Sequence, residues 1–255
     1  MIQENAKCIS VKKLTPEIYQ LTFRSSKIAK IAKPGQFINL KVDNTLYPLL
    51  RRPFSISDIV GANVSIIFNV VGEGTKRLAK KVKNDLIDII GPCGNSFPIK
   101  ELNKNTFVYL VAGGLGVAPF PFLIRKFSAK QKFITILGAR NRNYILKDGL
   151  KNILISTDDG SVGLKGNVID LIRKSISTSN NKDSVIFACG PTPMIKAVSE
   201  FAMKNGITVY ASLECDMACG IGLCQGCNIE MNNLTSKYEL VCKNGPIFNL
   251  ENIKF

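Results

Sequence analysis

Four cysteines near the C-terminus carry the clearest chemical signal in the chain. Cys219, Cys224 and Cys227 stand as C-x4-C-x2-C, and Cys242 follows at a distance. This is the plant-type spacing of a [2Fe–2S] cluster, whose two irons and two bridging sulfides need four thiolates from a tightly wrapped chain. Gly220, Gly222 and Gly226 lie within the wrap. Glycine tolerates unusual dihedrals and lets backbone N–H groups approach the sulfurs, where they help set the potential. A structural Zn(Cys)4 site or a chance gathering of buried thiols would be the alternatives. Zinc sites favour paired C-x2-C knuckles, and only half of this site has that spacing. Cys215 forms C-x3-C with Cys219, so spacing leaves open a register that uses it; we read it as a spare thiol. Five of the eight cysteines lie from Cys215 to Cys242. In a cytosolic chain such clustering argues for metal rather than disulfides.

Two earlier regions read as nucleotide seats. Arg51-Arg52-Pro53-Phe54-Ser55-Ile56-Ser57 is expected just after a strand. Arginine offers a fork for a phosphate, proline fixes the turn, and a small hydroxyl can bond the edge of an isoalloxazine ring. Gly72-Glu73-Gly74-Thr75 would then present backbone N–H groups and a hydroxyl at a helix N-terminus, an anion site suited to a pyrophosphate. RPFS alone fits an ordinary strand with a basic cap; its order before G-x-G-T makes it informative. In the second region, Val111 to Pro119 joins a strand to a helix, with Pro119 suited to the first helical turn. Gly113, Gly114 and Gly116 either admit a dinucleotide's phosphates or serve a tight turn that needs glycine for packing. The pattern is not the strict G-x-G-x-x-G. Cys189-Gly190-Pro191-Thr192-Pro193-Met194 ends a later strand, and open α/β sheets bind ligands at the carboxyl ends of their strands. Cys189 is either a core thiol or a residue facing a nicotinamide ring.

The chain contains no histidine. That excludes Ser–His–Asp and Cys–His catalysis and His-ligated zinc or haem, whereas redox chemistry can be delegated to a cofactor. The net charge of +15 raises the possibility of nucleic acid, but the lysines are scattered rather than gathered into a tract. A basic face that docks an acidic partner subunit fits better. No apolar run approaches the roughly 20 residues needed to span a bilayer, and the N-terminus lacks a secretory signal. The expectation is a cytoplasmic protein.

The positioning elements follow from the hydrophobic pattern. Short apolar or alternating runs at 18–23, 37–42, 64–71 and 86–90, separated by Gly/Pro signals, predict a small antiparallel barrel over 1–100. A helix is expected over 75–83 with Thr75 as its N-cap. Strands at 106–112, 133–138, 153–157 and 184–188 alternate with helices from about 117, at 167–175 and at 193–205, predicting a parallel-sheet domain over 101–211. The segment 212–255 is too short for a core of its own and needs a metal or covalent staple. The fold class is therefore multi-domain α+β.

PGQF at 34–37, RPFS at 52–55, G-x-G-T at 72–75, GGLGVAP at 113–119, TDDGSVGLKG at 157–166 and CGPTPM at 189–194, in this order, resemble the ferredoxin–NAD(P)+ reductase superfamily. The tail, SLECDMACGIGLCQGC at 212–227 and CKNGPIF at 242–248, narrows the resemblance to the electron-transfer subunits of class 1B dihydroorotate dehydrogenases. The resemblance implies an FAD-binding first domain, an NAD-binding middle domain and a cluster-bearing tail. It places Arg52, Pro53, Phe54, Ser55, Ile67, Phe68, Asn69, Gly74 and Thr75 against FAD. Gly113, Gly114, Gly116, Cys189, Gly190 and Pro191 would lie against NAD, and Cys219, Cys224, Cys227 and Cys242 would be the ligands. It further implies an FMN-containing catalytic partner that oxidises dihydroorotate to orotate, in an assembly of two catalytic and two electron-transfer subunits. Cys93 stands where an aliphatic residue is usual, and Arg140 and Arg142 could suit a 2′-phosphate, so NADP stays open beside NAD. The reductase subunit of a sulfhydrogenase, or a ferredoxin-dependent transhydrogenase, shares the motifs up to 194. A zinc-stabilised nucleic-acid-binding protein would leave those motifs unexplained.

Overall fold

The computed structural model describes residues 1–178, 183–232 and 236–255. The first part is a closed six-stranded antiparallel barrel, as expected. Its strands are β1 (Ile2–Lys13), β2 (Ile18–Arg24), β3 (Phe37–Leu40), β4 (Arg52–Val60), β5 (Asn63–Asn69) and β6 (Leu86–Cys93), joined in the order β1-β2-β5-β4-β3-β6. Alternation drives the closure: Leu21, Phe23, Ile38, Leu40, Val64, Ile66, Ile87 and Ile89 turn inward and are buried. Closure also removes the free edges that an open sheet must protect. Two short helices, α1 (Ser26–Ile31) and α2 (Glu73–Ala79), cap the barrel.

Local structure adds to or corrects the sequence reading at three places. RPFS comes after strand β3, as expected, across the loop of residues 41–51, and itself opens β4. Strand β1, whose inward positions include Ala6 and Cys8, carries too weak an apolar alternation to be read from sequence. Thr75 is not the N-cap of α2; Gly72 holds that place. The Thr75 hydroxyl instead reaches back to the N–H groups of Val71 (3.0 Å) and Gly72 (3.2 Å).

The second part is a seven-stranded sheet in the order β10-β9-β8-β7-β11-β12-β15. Its strands are β7 (Phe107–Gly113), β8 (Phe133–Ala139), β9 (Ile153–Thr157), β10 (Leu164–Lys165), β11 (Ser184–Cys189) and β12 (Thr208–Ser212), all parallel, and the edge strand β15 introduced below. The helices are α3 (Phe120–Lys126), α4 (Val168–Thr178) and α5 (Thr192–Lys204). A 3-10 turn over Gly114–Val117 delays α3 to Phe120, because Gly114 is left-handed (φ 53°) and Pro119 and Pro121 lack N–H groups. The chain leaves β7 outward through β8, β9 and β10, then returns to place β11 on the other side of β7. That reversal opens a crevice at the carboxyl ends of β7 and β11.

The tail forms a hairpin of β13 (Asn228–Glu230) and β14 (Tyr238–Leu240), then β15 (Ile247–Asn249), which pairs antiparallel with β12. It builds no core of its own: Cys227, Val241, Cys242 and Phe248 join the apolar cluster of the parallel-sheet domain. Among the described residues, no helix is long and apolar enough to cross a membrane.

Candidate redox site

The cluster loop is wrapped by glycine and pinned to the barrel. Gly220 (φ 67°) and Gly222 (φ 89°) are left-handed, and a Cβ at Gly220 would strike the Asn39 side chain. Asn39 on β3 uses that proximity to donate to the Cys219 carbonyl at 2.8 Å. The Cys219 sulfur accepts N–H groups from Ile221 (3.5 Å) and Cys224 (3.3 Å). Burial pushes the Cys219 thiol upward, but these N–H groups outweigh it and bring the thiol down to about 6. It is therefore poised as the thiolate that binds metal. Cys227 and Cys242 are buried with their sulfurs 3.1 Å apart, and burial followed by the Cys227 sulfur pushes Cys242 up to about 12. A metal would relieve that crowding by taking both as thiolates.

Two pairs of thiols are a donor set that fits a dinuclear iron centre. Among the described residues, no three Cys, Asp or Glu side chains converge as a single ion requires. The four cysteines instead form two pairs, Cys219 with Cys224 and Cys227 with Cys242, each within hydrogen-bonding reach. Cys224 and Leu223 face outward. Cys215 belongs to neither pair: it packs against the apolar cluster that holds Cys227 and Cys242, and burial, then the Cys227 charge, push its thiol up to about 11.

A cavity of about 360 Å³ lies between the barrel and the segment leading to the cluster. Arg52, Pro53, Phe54, Ser55, Ile67, Phe68, Asn69 and Thr75 all line it. The adjacent arginines divide their work. Arg51 is bound to Asp88 at 2.5 Å and holds β4 to β6, leaving Arg52 to face the cavity. A Cβ at Gly74 would come within 3.1 Å of the Arg52 Nε, so glycine there lets the guanidinium lie against the start of α2. Arg52 and the first turn of α2 thus form one anion seat. Asn69 Oδ1 is buried without a partner. An unpaired acceptor on the wall of an apolar cavity fits a ring N–H or hydroxyl of a flavin.

A second cavity of about 640 Å³ occupies the crevice between β7 and β11. Gly113, Gly114, Gly116, Gly190 and Pro191 line it, whereas Cys189 lies on the wall of the first cavity. The glycines serve both purposes weighed from sequence. A Cβ at Gly116 would collide with the Cys189 carbonyl, and one at Gly113 with Met194 and Pro191, whereas Gly114 faces open space. Gly113 and Gly116 therefore let the two loops pack together, and Gly114 leaves backbone free for a phosphate. Gly116→Ala is expected to cost about 3 kcal/mol, at the upper end of overpacking because the obstacle is backbone; a lowered thermal midpoint together with weaker NADH binding would show it. Cys189 is buried, and burial followed by the Glu214 charge raises its thiol, which keeps it neutral.

Comparison with known proteins turns this geometry into a family. Residues 214–254 match the iron-sulfur cluster binding domain of dihydroorotate dehydrogenase B, and residues 110–200 match an oxidoreductase NAD-binding domain. The electron transfer subunit of dihydroorotate dehydrogenase B (NAD(+)) of Caldanaerobacter subterraneus subsp. tengcongensis is 34% identical over 98% of both chains. That of Fusobacterium nucleatum subsp. nucleatum is 37% identical over 92% of both. The chain belongs to this family of electron transfer subunits. It is accordingly an oxidoreductase subunit with an iron–sulfur domain and an NAD-binding domain. In the solved NADH-dependent reduced ferredoxin–NADP oxidoreductase, one chain superposes with a TM-score of 0.84 at 28% identity, covering 98% of this chain and 89% of that one. A ferredoxin NADP+ reductase of Neisseria gonorrhoeae shares the fold, with a TM-score of 0.67 at 17% identity over 85% and 95% of the two chains.

In this electron transfer subunit the two cavities meet at Asn69, Leu115 and Glu214, which line both. Leu115 and Glu214 were not singled out from sequence. Leu115 carries no chemical signal, and a lone glutamate beside a cysteine-rich tail is unremarkable until β12 ends at the junction. Loss of water in the crease raises the Glu214 carboxyl, although the side chain keeps a solvent-open edge. Asp158 also escaped notice as a separate residue; it lines the second cavity together with Arg140. Arg142 turns away, donating to the Ser161 carbonyl at 2.7 Å.

Proposed function

We propose that this chain is the electron-transfer half of an NAD+-dependent dihydroorotate dehydrogenase, serving pyrimidine biosynthesis in the cytoplasm. FAD is assigned to the first cavity, NAD to the second, and the [2Fe–2S] cluster to Cys219, Cys224, Cys227 and Cys242. The observation that carries this reading is adjacency. The first cavity shares three residues with the second and takes Cys215 and Met217 from the segment that enters the cluster loop. When bound, the flavin exchanges a hydride with the nicotinamide and single electrons with the cluster, which converts between the two modes of transfer. The protein's part is positioning. Arg52 and α2 hold the pyrophosphate, Asn69 orients the ring, and the Gly113–Gly116 turn admits the nucleotide. No side chain need act as acid or base, in keeping with a chain that has no histidine.

The partner in this reading is an FMN-containing catalytic subunit that oxidises dihydroorotate, in a heterotetramer of two catalytic and two electron-transfer subunits. The loop of residues 43–50 supports such a contact. Arg77 ties it down through Asp43 (2.7 Å) and the Tyr47 carbonyl (2.8 Å), while Leu46 stays 88% and Leu49 69% exposed. Leu223, beside the outward-facing Cys224, is 77% exposed. Apolar side chains held outward on an anchored loop are what a permanent subunit covers.

NAD is preferred to NADP because one arginine, Arg140, lines the second cavity and the carboxylate Asp158 lines it too. Asp158→Asn is expected to raise kcat/KM for NADPH relative to NADH about tenfold, since a like charge facing a phosphate is removed. Steady-state assays with ferricyanide as acceptor check it.

The decisive test is a visible spectrum of the anaerobic protein, alone and with its co-expressed partner. Flavin bands and an iron–sulfur shoulder should bleach with NADH, and in the complex also with dihydroorotate. A second reading, favoured by the 0.84 TM-score, is a ferredoxin-dependent transhydrogenase subunit. Bleaching by reduced ferredoxin in the complex, with none by dihydroorotate, would select that reading.

A further inference from the structure

The first cavity has two walls from distant parts of the chain. Barrel strands β4 and β5 supply one, and Leu213, Met217 and Pro246 of the tail belong to the other. Strand β15 ties the tail to β12 of the parallel sheet, so contacts that reach it from the barrel set the gap between the walls. Asn95, in the turn after β6, makes such contacts although it does not line the cavity. Its Nδ2 donates to the carbonyls of Asn244 and Ile247, both at 2.7 Å, and its Oδ1 accepts the Ile247 N–H at 2.9 Å. Its backbone N–H donates to the Gly245 carbonyl at 2.6 Å. These bonds bracket Pro246 on both sides. The Pro246 carbonyl in turn accepts the Leu213 N–H at 2.8 Å, so two residues of the tail's wall hang on one clasp. Gly94 permits the approach: it is left-handed (φ 74°), and a Cβ there would lie 2.5 Å from the Gly245 carbonyl oxygen and 2.7 Å from the Pro246 ring. Gln36, just before β3, fixes this corner to the barrel by donating to the Gly94 carbonyl at 2.7 Å.

We propose that Asn95 is a positioning residue for the flavin: by bracketing Pro246 it holds the tail's wall at a fixed gap from the barrel and tightens FAD binding from outside the cavity. The inference rests on the assignment of FAD to the first cavity. Asparagine suits the task because one planar amide offers two donors and an acceptor, and here it spends both kinds on the same short segment. The tail builds no core of its own, so a wall made from it must be held by bonds of this kind. A wall left loose would have to be ordered whenever the flavin binds, and one fixed in advance spares that cost. None of the clasp's partners is a cluster cysteine, so the wall keeps its place when a ligand such as Cys224 is removed.

The test uses the full chain with flavin and cluster in place, as wild type, Asn95→Ala, Asn95→Asp and Arg125→Ala. The readouts are the rate of FAD release on dilution, followed by the rise in flavin fluorescence, together with iron and acid-labile sulfide content and the thermal midpoint. Asn95 is half-buried in a turn, so alanine opens no core cavity. FAD release should accelerate about tenfold in Asn95→Ala, the net worth of one hydrogen bond at the upper end of its ordinary range. Asn95→Asp keeps the acceptor for the Ile247 N–H but sets a negative charge against two carbonyls, so release should be at least as fast. Iron and sulfide should stay at the wild-type level in both. Arg125→Ala is the stability control: Arg125 joins α3 to Asp58 of β4 at 2.6 Å and lines neither cavity. It should lower the thermal midpoint and leave FAD release unchanged. Release unchanged in both Asn95 variants overturns the proposal. So does an equal acceleration in Arg125→Ala, because a general loss of stability would then account for it. A wild-type chain that binds no FAD overturns the cavity assignment, and the proposal with it.

Discussion

Replacing Cys224 with alanine is expected to abolish the iron–sulfur absorption and to cut partner-dependent NAD+ reduction at least about a hundredfold. Loss of outer-shell partners alone typically costs 10- to 100-fold in metal sites, and a ligand should cost more. The position makes the experiment clean. Cys224 is exposed and belongs to no apolar cluster, so the substitution opens no cavity and the protein should still fold around its flavin. NADH oxidation by an artificial acceptor that takes electrons directly from the flavin should survive. The same substitution at Cys227 or Cys242 would confound the two effects, because both pack into the core of the parallel-sheet domain. Normal NAD+ reduction by a complex whose Cys224→Ala subunit lacks the cluster would rule out the electron route proposed above.

The second large effect is expected at Arg52. Its guanidinium lies against Gly74 at the start of α2 and also reaches the Leu50 carbonyl. Removing one member of a desolvated charge pair costs about 2–5 kcal/mol. Arg52→Ala should therefore weaken FAD binding by roughly 30- to several-thousand-fold, and the protein should lose much of its flavin on purification. Arg51→Ala is the contrasting control. Arg51 is spent on Asp88 within the barrel, and that carboxylate, pushed upward by burial, is held below its ordinary value by the Arg51 contact. Its loss should lower stability while leaving the FAD affinity of the folded protein close to wild type. Flavin stoichiometry and thermal midpoint, measured on both variants, separate the two outcomes. Flavin retained in Arg52→Ala but lost in Arg51→Ala would reverse the assignment.

The parallel sheet was largely legible because its strands are continuous apolar runs bounded by glycine, and β9 begins and ends where the pattern places it. The barrel was legible in kind but not in every strand. β1 alternates only weakly, and β4 opens with an arginine and a proline. Helix α2 starts earlier than Thr75 suggests because the threonine hydroxyl, reaching back from the third helical position, can satisfy the N–H groups of Val71 and Gly72. That bond depends on three-dimensional closure of a turn, and a propensity for the capping position does not capture it.

Residue type and spacing by themselves determined the chemistry of this protein: four cysteines spaced for a dinuclear cluster, an arginine before a glycine-threonine turn, two glycine-rich loops after strands, and no histidine to suggest another mechanism. Those features are local, and local chain geometry suffices to express them. Only the tertiary structure decided what lies between them. It pairs Cys219 with Cys224 and Cys227 with Cys242, separates the roles of Arg51 and Arg52, and ends β12 where Glu214 reaches both cavities. It also places Cys215 on the wall of the first cavity. The Arg51–Asp88 pair and the junction at Glu214 join residues whose separation in sequence is closed by strand order, which is fixed by burial of the whole apolar pattern rather than by any motif.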